Sequence, residues 1–308
     1  MRYVMLVVEH PQRGGDPHAH VLAVQPTDNR WHRQPPVPTV RIMDDTDAPP
    51  RLTRLTFHGP LSEDRAAGLI RQLTDGVSPT APSTVLDIGC GWGEFMLRLL
   101  EAMPGATGVG VDLNEDDLAR GRANAEIRGL AERVDFVRES AVDTARGPAD
   151  IVLCFSASHA LSDAQPPEHT TAALHALRRL VKPGGRVLLG EGFWQRPPAP
   201  SELSAMWPEA SASEFHNLCG LVDLAIAAGF RPAWIESANP DEWDHFESAY
   251  QSDVEEWLAA HPDHTLAKET RDRVDRHRSM WLRGYRGVMG LAYLTLVPVK
   301  QGAASSSA

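Results

Sequence analysis

The sequence predicts an α/β protein with a doubly wound sheet, on three observations. Between residues 84 and 190, short apolar runs of β type alternate with longer stretches whose apolar positions recur near a helical period. The run at residues 186–190 is almost wholly apolar, as a parallel strand covered on both faces requires. The run Val85-Leu86-Asp87-Ile88 passes directly into Gly89-Cys90-Gly91-Trp92-Gly93, and an amphipathic helical pattern starts at once. Glycines at that point let the chain turn sharply and approach a ligand closely.

Residues 1–50 hold 8 of the 24 prolines, and their periodicity is poor. Residues 1–60 are therefore read as an irregular N-terminal arm, partly disordered, with a short strand at residues 3–8. Met43 offers an alternative start of translation. A functional use for the arm is to pack over an active site, or onto a second subunit in a homodimer. Residues 61–74 form the first helix, with Leu61, Ala66, Leu69, Ile70 and Leu73 on one stripe and Asp75-Gly76 ending it. The first strand is 84–88, the next helix 92–103, and Pro104-Gly105 stops that helix. The second strand is 108–112. Asn114 then caps a helix with Asp117 at N3, running to Arg128 and ended by Gly129. Strands at 134–137 and 149–154 follow, then a helix at 170–180, a turn at Lys182-Pro183-Gly184-Gly185 and the fifth strand at 186–190.

After Glu191 the pattern changes. Pro197, Pro198 and Pro200 exclude a regular helix through that segment. Helical material resumes near Ser201 and at 216–228, and 232–237 reads as the sixth strand. Asn239 as N-cap, Pro240 at N1 and Glu242 at N3 open a helix with Trp243, Phe246, Tyr250, Val254 and Trp257 on one stripe. Residues 241–263 carry eight acidic residues and no Lys or Arg, whereas 264–286 carry seven Lys or Arg against three acidic residues. Opposite charges on either side of His261-Pro262-Asp263 predict an antiparallel helical hairpin, an insertion over 239–288. It reads as a structural unit with compensating surfaces, or as a lid whose aromatic stripe closes over substrate. Residues 291–297 form the seventh strand, and 301–308 a disordered tail of small residues.

Composition narrows the function classes. A chain of 308 residues, 42% hydrophobic, suits one embellished domain with a real core. The net charge of −11 argues against a broad nucleic-acid surface. Cys90, Cys154 and Cys219 make no disulfide framework and have no metal-ligand spacing, which fits a reducing cytoplasm. No apolar run approaches membrane-spanning length, so no membrane partner is expected. His18, His20 and His32 lie in the arm and are read as solvent-exposed, so no metal is expected.

The glycine loop reads G-x-G-x-G, with Glu94 where a dinucleotide fingerprint wants its third glycine. The Asp87 carboxylate just before it suits an ammonium group and opposes a pyrophosphate. Asp112 ends the second strand, where a carboxylate can accept both hydroxyls of a ribose. These residues, Glu139-Ser140-Ala141 after the third strand, and Leu177-Arg178-Arg179-Leu180-Val181-Lys182-Pro183-Gly184-Gly185 occur in register. Together they resemble the class I S-adenosylmethionine-dependent methyltransferases, over residues 61–299. The resemblance implies a Rossmann-like seven-stranded sheet of order 3-2-1-4-5-7-6 with strand 7 antiparallel, and a methyltransferase domain over 61–300. It implies S-adenosyl-L-methionine as cofactor and S-adenosyl-L-homocysteine as product. It further implies cofactor contacts from Asp87, Gly89, Cys90, Gly91 and Gly93, from Asp112 and Leu113 at the ribose and adenine, and from Ser140 and Ala141 at the adenine. Many members carry Asp where this chain has Ser140.

Ligands of open α/β sheets bind outside the carboxyl ends of the strands. Ser158-His159 follows the fourth strand, and an imidazole there could take a proton near neutral pH, so His159 is a candidate base and Ser158 a substrate contact. Glu191 ends the fifth strand, where a carboxylate could hold an amine or hydroxyl, and Trp194 could pack against an apolar part of the substrate. His58, His216 and Tyr250 are further substrate-side candidates. The Asn/Asp-Pro-Pro-aromatic signature of base-modifying methyltransferases is absent after the fourth strand. The expected activity is in-line methyl transfer to an oxygen or nitrogen of a small metabolite, by alignment and exclusion of water. Three alternatives remain open at this point: a nucleotide-dependent oxidoreductase, a non-catalytic S-adenosylmethionine-binding regulator, and methylation of protein or RNA.

Overall fold

A computed structural model describes residues 48–299. The expectations for residues 1–47 and for the tail at 301–308 lie outside the described residues.

Seven strands form one sheet in the order β3-β2-β1-β4-β5-β7-β6. They are β1 (Ser83–Ile88), β2 (Ala106–Asp112), β3 (Val134–Arg138), β4 (Ala149–Phe155), β5 (Val181–Trp194), β6 (Phe230–Ser237) and β7 (Met289–Pro298). The first five are mutually parallel, and β7 runs antiparallel to both β5 and β6. One face is covered by α1 (Glu63–Thr74), α2 (Glu94–Ala102) and α3 (Glu115–Ile127), whose Leu69, Leu73, Phe95, Leu99 and Leu118 pack on Ile151, Leu153 and Leu188 of the sheet. The other face is covered by α4 (Glu168–Leu180) and, after the short α5 (Pro200–Ala205), by α6 (Leu218–Ala227), through Leu174, Leu177, Leu221 and Ala225. Burial on both faces is why the central strands read as unbroken apolar runs rather than alternating ones.

Local signals set the helix starts. The Asn114 side chain accepts the amide of Asp116 and caps α3. Helix α7 (Pro240–Ala260) starts in a capping box, in which Asn239 accepts the Glu242 amide and Glu242 accepts the Asn239 amide. Glu242 also takes the Ser62 amide and hydroxyl and the Arg65 Nε–H, which ties the start of α7 to the start of α1.

Strand β5 departs from expectation at both ends. The segment Lys182-Pro183-Gly184-Gly185 is not a separate turn. It lies within β5, and its extra residues are absorbed by a register shift against β4 between Ala149 and Ile151. At the far end, antiparallel pairing with β7 carries the strand on to Trp194, opposite Met289. Glu191 therefore sits inside the strand, opposite Ala292, rather than at its end.

Between β6 and β7, α7 and α8 (Ala267–Met280) pack together through Val254, Trp257, Leu258, Ala267 and Val274. Inside the pair, Glu247 accepts the Tyr285 hydroxyl at 2.7 Å and contacts His277 Nε2 at 2.8 Å, while Tyr250 stacks on the His277 ring at 4.4 Å. Phe246 reaches sideways to Leu52, Leu55 and Trp92.

Residues 51–58 form a strap with no regular secondary structure, its backbone satisfied by distant side chains. The amide and hydroxyl of Thr53 donate to Asp253 on α7, and Arg120 on α3 donates to the carbonyls of Leu52 and Leu55. Leu52, Leu55 and Phe57 are buried beneath it.

Candidate active site

A cavity of about 550 Å³ opens at the carboxyl ends of β1, β2, β3 and β4. Its floor is the turn from β1 into α2. Gly89, Gly91 and Gly93 all hold left-handed φ values, +62°, +53° and +63°. At Gly89 a Cβ would stand 2.4 Å from the Ala157 Cβ, so the loop after β4 can close against the glycine turn only because that atom is missing. Asp112, at the end of β2, is fixed by two backbone donors: its Oδ2 accepts the Gly91 amide at 2.8 Å and its Oδ1 accepts the Asn114 amide at 2.9 Å.

Asp87, Gly89, Cys90, Gly93, Asp112, Leu113, Ser140, Ala141, His58 and His159 all line this cavity. Gly91 serves it through its amide on Asp112. Leu113 stays 65% exposed, an apolar side chain held open at the rim where a flat base could cover it. The Ser140 hydroxyl accepts the Val142 amide and so shapes the turn after β3. Burial pushes the Cys90 thiol well above its usual pKa, which keeps it neutral.

Burial, with the Asp112 charge adding to it, pushes the Asp87 carboxyl up to about 8. At neutral pH Asp87 is therefore mostly protonated before a ligand binds. A ligand ammonium beside it favours the ionised form, so binding releases a proton. Affinity for an ammonium-bearing ligand is expected to rise with pH, by at most about tenfold per pH unit, until about pH 8 and then level off. Calorimetry of S-adenosylhomocysteine binding at pH 7, in buffers of different ionisation enthalpy, reads that proton directly. Asp87→Asn should abolish its release, and release unchanged in that variant would assign it to another group.

The strap supplies one wall. Arg51 makes a two-pronged ion pair with Asp117, and Phe57 and His58 also face the cavity. The His58 ring stacks on Trp92 at 4.8 Å and covers Gly91, and burial holds it below the usual histidine pKa. Its charged neighbours are Asp117, Arg51, Asp112 and Arg120, which places it over the nucleotide-side loop and away from the β4 end.

The structure places five of the sequence candidates outside the cavity wall. Ser158 and Glu191 face one another behind it, the Ser158 hydroxyl bonded to a carboxylate only 4% exposed. Burial pushes Glu191 up to about 7, against the pull of Ser158 and the Gly192 amide, and its Oε2 has no partner among the described residues. The tight turn Ser158–Leu161 explains the split: successive side chains diverge, so Ser158 turns inward while His159 lines the cavity. Trp194 donates its indole N–H to the Ala212 carbonyl and meets the Phe215 ring at 5.1 Å, in a separate apolar cluster. His216 contributes its carbonyl to the Trp194 amide. Tyr250, on the α7 stripe, is taken up by His277 and Phe246, so the stripe packs on the strap through Phe246 and on α8 through Val254 and Trp257 instead of closing over the cavity.

Several lining residues carried no readable signal. Leu291 and Tyr293 sit in a strand, where an apolar residue reads as core, whereas Phe155, which the sequence puts just past the fourth strand, is its last residue. Ser156 lines the cavity at φ +50°, an uncommon conformation for a residue with a Cβ and one that gathers at functional sites. Among the described residues, no group of His, Cys, Asp and Glu could hold a metal ion, and no helix is long and apolar enough to cross a membrane.

Comparison with known proteins agrees with this geometry. A methyltransferase-domain family model matches residues 86–187. The uncharacterized protein YjhP of Escherichia coli K12 is 30% identical over 243 residues, covering 78% of this chain and 93% of YjhP. The X-ray structure of YjhP superposes with a TM-score of 0.67 at 28% identity, over 81% of this chain and all 100% of that one. A methyltransferase of Geobacter sulfurreducens, crystallised with S-adenosyl-L-homocysteine, superposes with a TM-score of 0.68 at 26% identity, over 81% of this chain and 98% of that one. The ubiquinone biosynthesis O-methyltransferase of Klebsiella pneumoniae is 37% identical over 106 residues, 33% of this chain and 40% of that protein.

Proposed function

Since this chain belongs to the class I S-adenosylmethionine-dependent methyltransferases, we propose that it methylates an oxygen or nitrogen of a small-molecule metabolite. It is an enzyme, and S-adenosylmethionine is its cofactor. The residues present fit that cofactor. Asp112 is held by two amides with lone pairs left for ribose hydroxyls, Leu113 lies open for a base, and Asp87 awaits a cation.

When bound, S-adenosylmethionine supplies a methyl carbon already activated by the positive sulfonium. The chain's task is then alignment and the exclusion of water. The glycine turn and Asp112 would fix the nucleoside. Phe155, Ser156 and His159 would present the acceptor from the end of β4. His159 would hold or take a proton only where the nucleophile starts protonated, as a hydroxyl does.

The observation that carries the small-molecule reading is the cavity itself. Its volume of about 550 Å³ lies in the range of a single small-ligand site. Its one lining Lys or Arg among the described residues, Arg51, is already paired with Asp117, so no cationic track leads a nucleic-acid backbone in. The test uses S-adenosylmethionine labelled in the methyl group, offered with a small-metabolite extract, total RNA or total protein. Label is expected in the metabolite fraction. Label in RNA or protein alone would sink the reading.

A further inference from the structure

Resting on the small-molecule reading, we propose that the acceptor carries an aromatic ring, is neutral or cationic, and is rejected when it bears a carboxylate or phosphate. Rings and charges in the same cavity support this independently.

The nucleotide-side residues Asp112, Leu113, Ser140 and Ala141 stand over β2 and β3, which leaves the side over β4 for the acceptor. That side is walled by Phe155 at the end of β4 and by Leu291 and Tyr293 of β7. Gly190 brings the two rings together: it pairs with Tyr293 across β5 and β7, and a Cβ there would stand 2.9 Å from the Phe155 ring. Phe155 fills that space, with its centroid 6.1 Å from Tyr293 in an edge arrangement and 4.9 Å from Phe95. The Tyr293 hydroxyl is committed to the Pro60 carbonyl at 2.9 Å. Tyr293 is almost fully buried with Arg65 over its ring, so the part-exposed Phe155 is the ring this wall presents to a flat guest, and Ser156 and His159 line the cavity with it.

The charges exclude the opposite guest. The carboxylates lining the cavity are Asp87, Glu94, Asp112, Asp117, Glu139 and Asp163. Asp117 is paired with Arg51, Glu94 with Arg98 and Arg128, and Glu139 with Arg146, so every one of those cations is already engaged. His58 is held toward its neutral form by burial. A carboxylate or phosphate brought to the β4 side would give up its water for no arginine or lysine but Arg51, which is already paired, among the described lining residues, and would meet the charge of Asp112. A neutral phenol loses nothing comparable, and an ammonium gains.

The test is a matched set of probes on the full chain saturated with S-adenosylhomocysteine, at about pH 8, where histidines carry little charge. The probes are p-cresol, tyramine, 4-hydroxyphenylacetate and 4-methylcyclohexanol, with binding read by calorimetry. p-Cresol and tyramine are expected to bind about tenfold or more tightly than 4-hydroxyphenylacetate and 4-methylcyclohexanol. Phe155→Leu, checked for folding by its S-adenosylhomocysteine affinity, should lose most of the preference for p-cresol over 4-methylcyclohexanol. The proposal is overturned if 4-hydroxyphenylacetate binds as well as p-cresol, or if neither p-cresol nor tyramine binds. The labelled-extract experiment separates the two levels. Label in an anionic or saturated metabolite removes this inference and leaves the small-molecule reading standing, whereas label confined to RNA or protein removes that reading itself.

Discussion

Replacing His159 by alanine is expected to slow the methyl-transfer step by about 10²–10⁴-fold with cofactor affinity unchanged, the usual contribution of a positioned general base. The imidazole lines the cavity from the turn Ser158–Leu161, while the neighbouring Ser158 anchors that turn to Glu191 from behind. The base matters only for an acceptor that arrives protonated, so the lost rate should return as pH rises and the acceptor ionises unaided. A purely structural role gives a different pattern: a lowered melting temperature, no recovery at high pH, and altered cofactor affinity through the Gly89–Ala157 contact. Single-turnover rates across pH, set beside calorimetric affinity, distinguish the two. An unchanged chemical step would leave alignment alone as the source of catalysis.

Asp112→Ala is expected to weaken cofactor binding by roughly 2–4 kcal/mol, about 30- to 1,000-fold, with a much smaller effect on folding. Two losses combine. The ribose hydroxyls lose a charged acceptor, and the amides of Gly91 and Asn114 lose the carboxylate that fixes them. In the unliganded variant water can reach those amides, since the site is an open cavity, so the fold itself is mostly spared. Asp112→Asn should fall between: one carbonyl oxygen remains, but its amide N–H₂ would face a backbone donor. Calorimetric affinity together with thermal unfolding checks both variants. An Asp112→Ala chain that binds S-adenosylhomocysteine as the parent does would rule the role out.

What the sequence made legible was local. The run into Gly89, Gly91 and Gly93, the N-caps Asn114 and Asn239, and the apolar strands each depend on neighbours a few residues away, whereas the seven-stranded order is implied only by the family resemblance those motifs carry. What was hidden was set by partners far along the chain. The strap at 51–58 has no period to detect, because its amides and carbonyls are satisfied by Asp253 and Arg120. Local pattern ends the fifth strand at residue 190, since its continuation to Trp194 depends on pairing with β7 about a hundred residues later. It leaves Trp194 at the rim for the same reason, whereas its indole is committed to Ala212. Among apolar strand residues, periodicity tells which face is buried but not which buried ring borders a cavity, so nothing local distinguishes Tyr293 from core. Phe246 and Tyr250 were marked by their helical spacing, but what they touch, the strap and His277, was not.

The strap also imposes an order of events during synthesis. The glycine turn is complete once residue 93 has been made, and Asp112 follows soon after. The wall at Arg51, Phe57 and His58 has near partners in Trp92, Asp117 and Arg120, but its ties from Thr53 to Asp253 and from Arg54 to Glu256 reach about two hundred residues downstream. A chain emerging N-terminus first reaches these partners late. On the ribosome, the nucleotide half of the cavity can therefore form before the last ties of its strap to α7 are made.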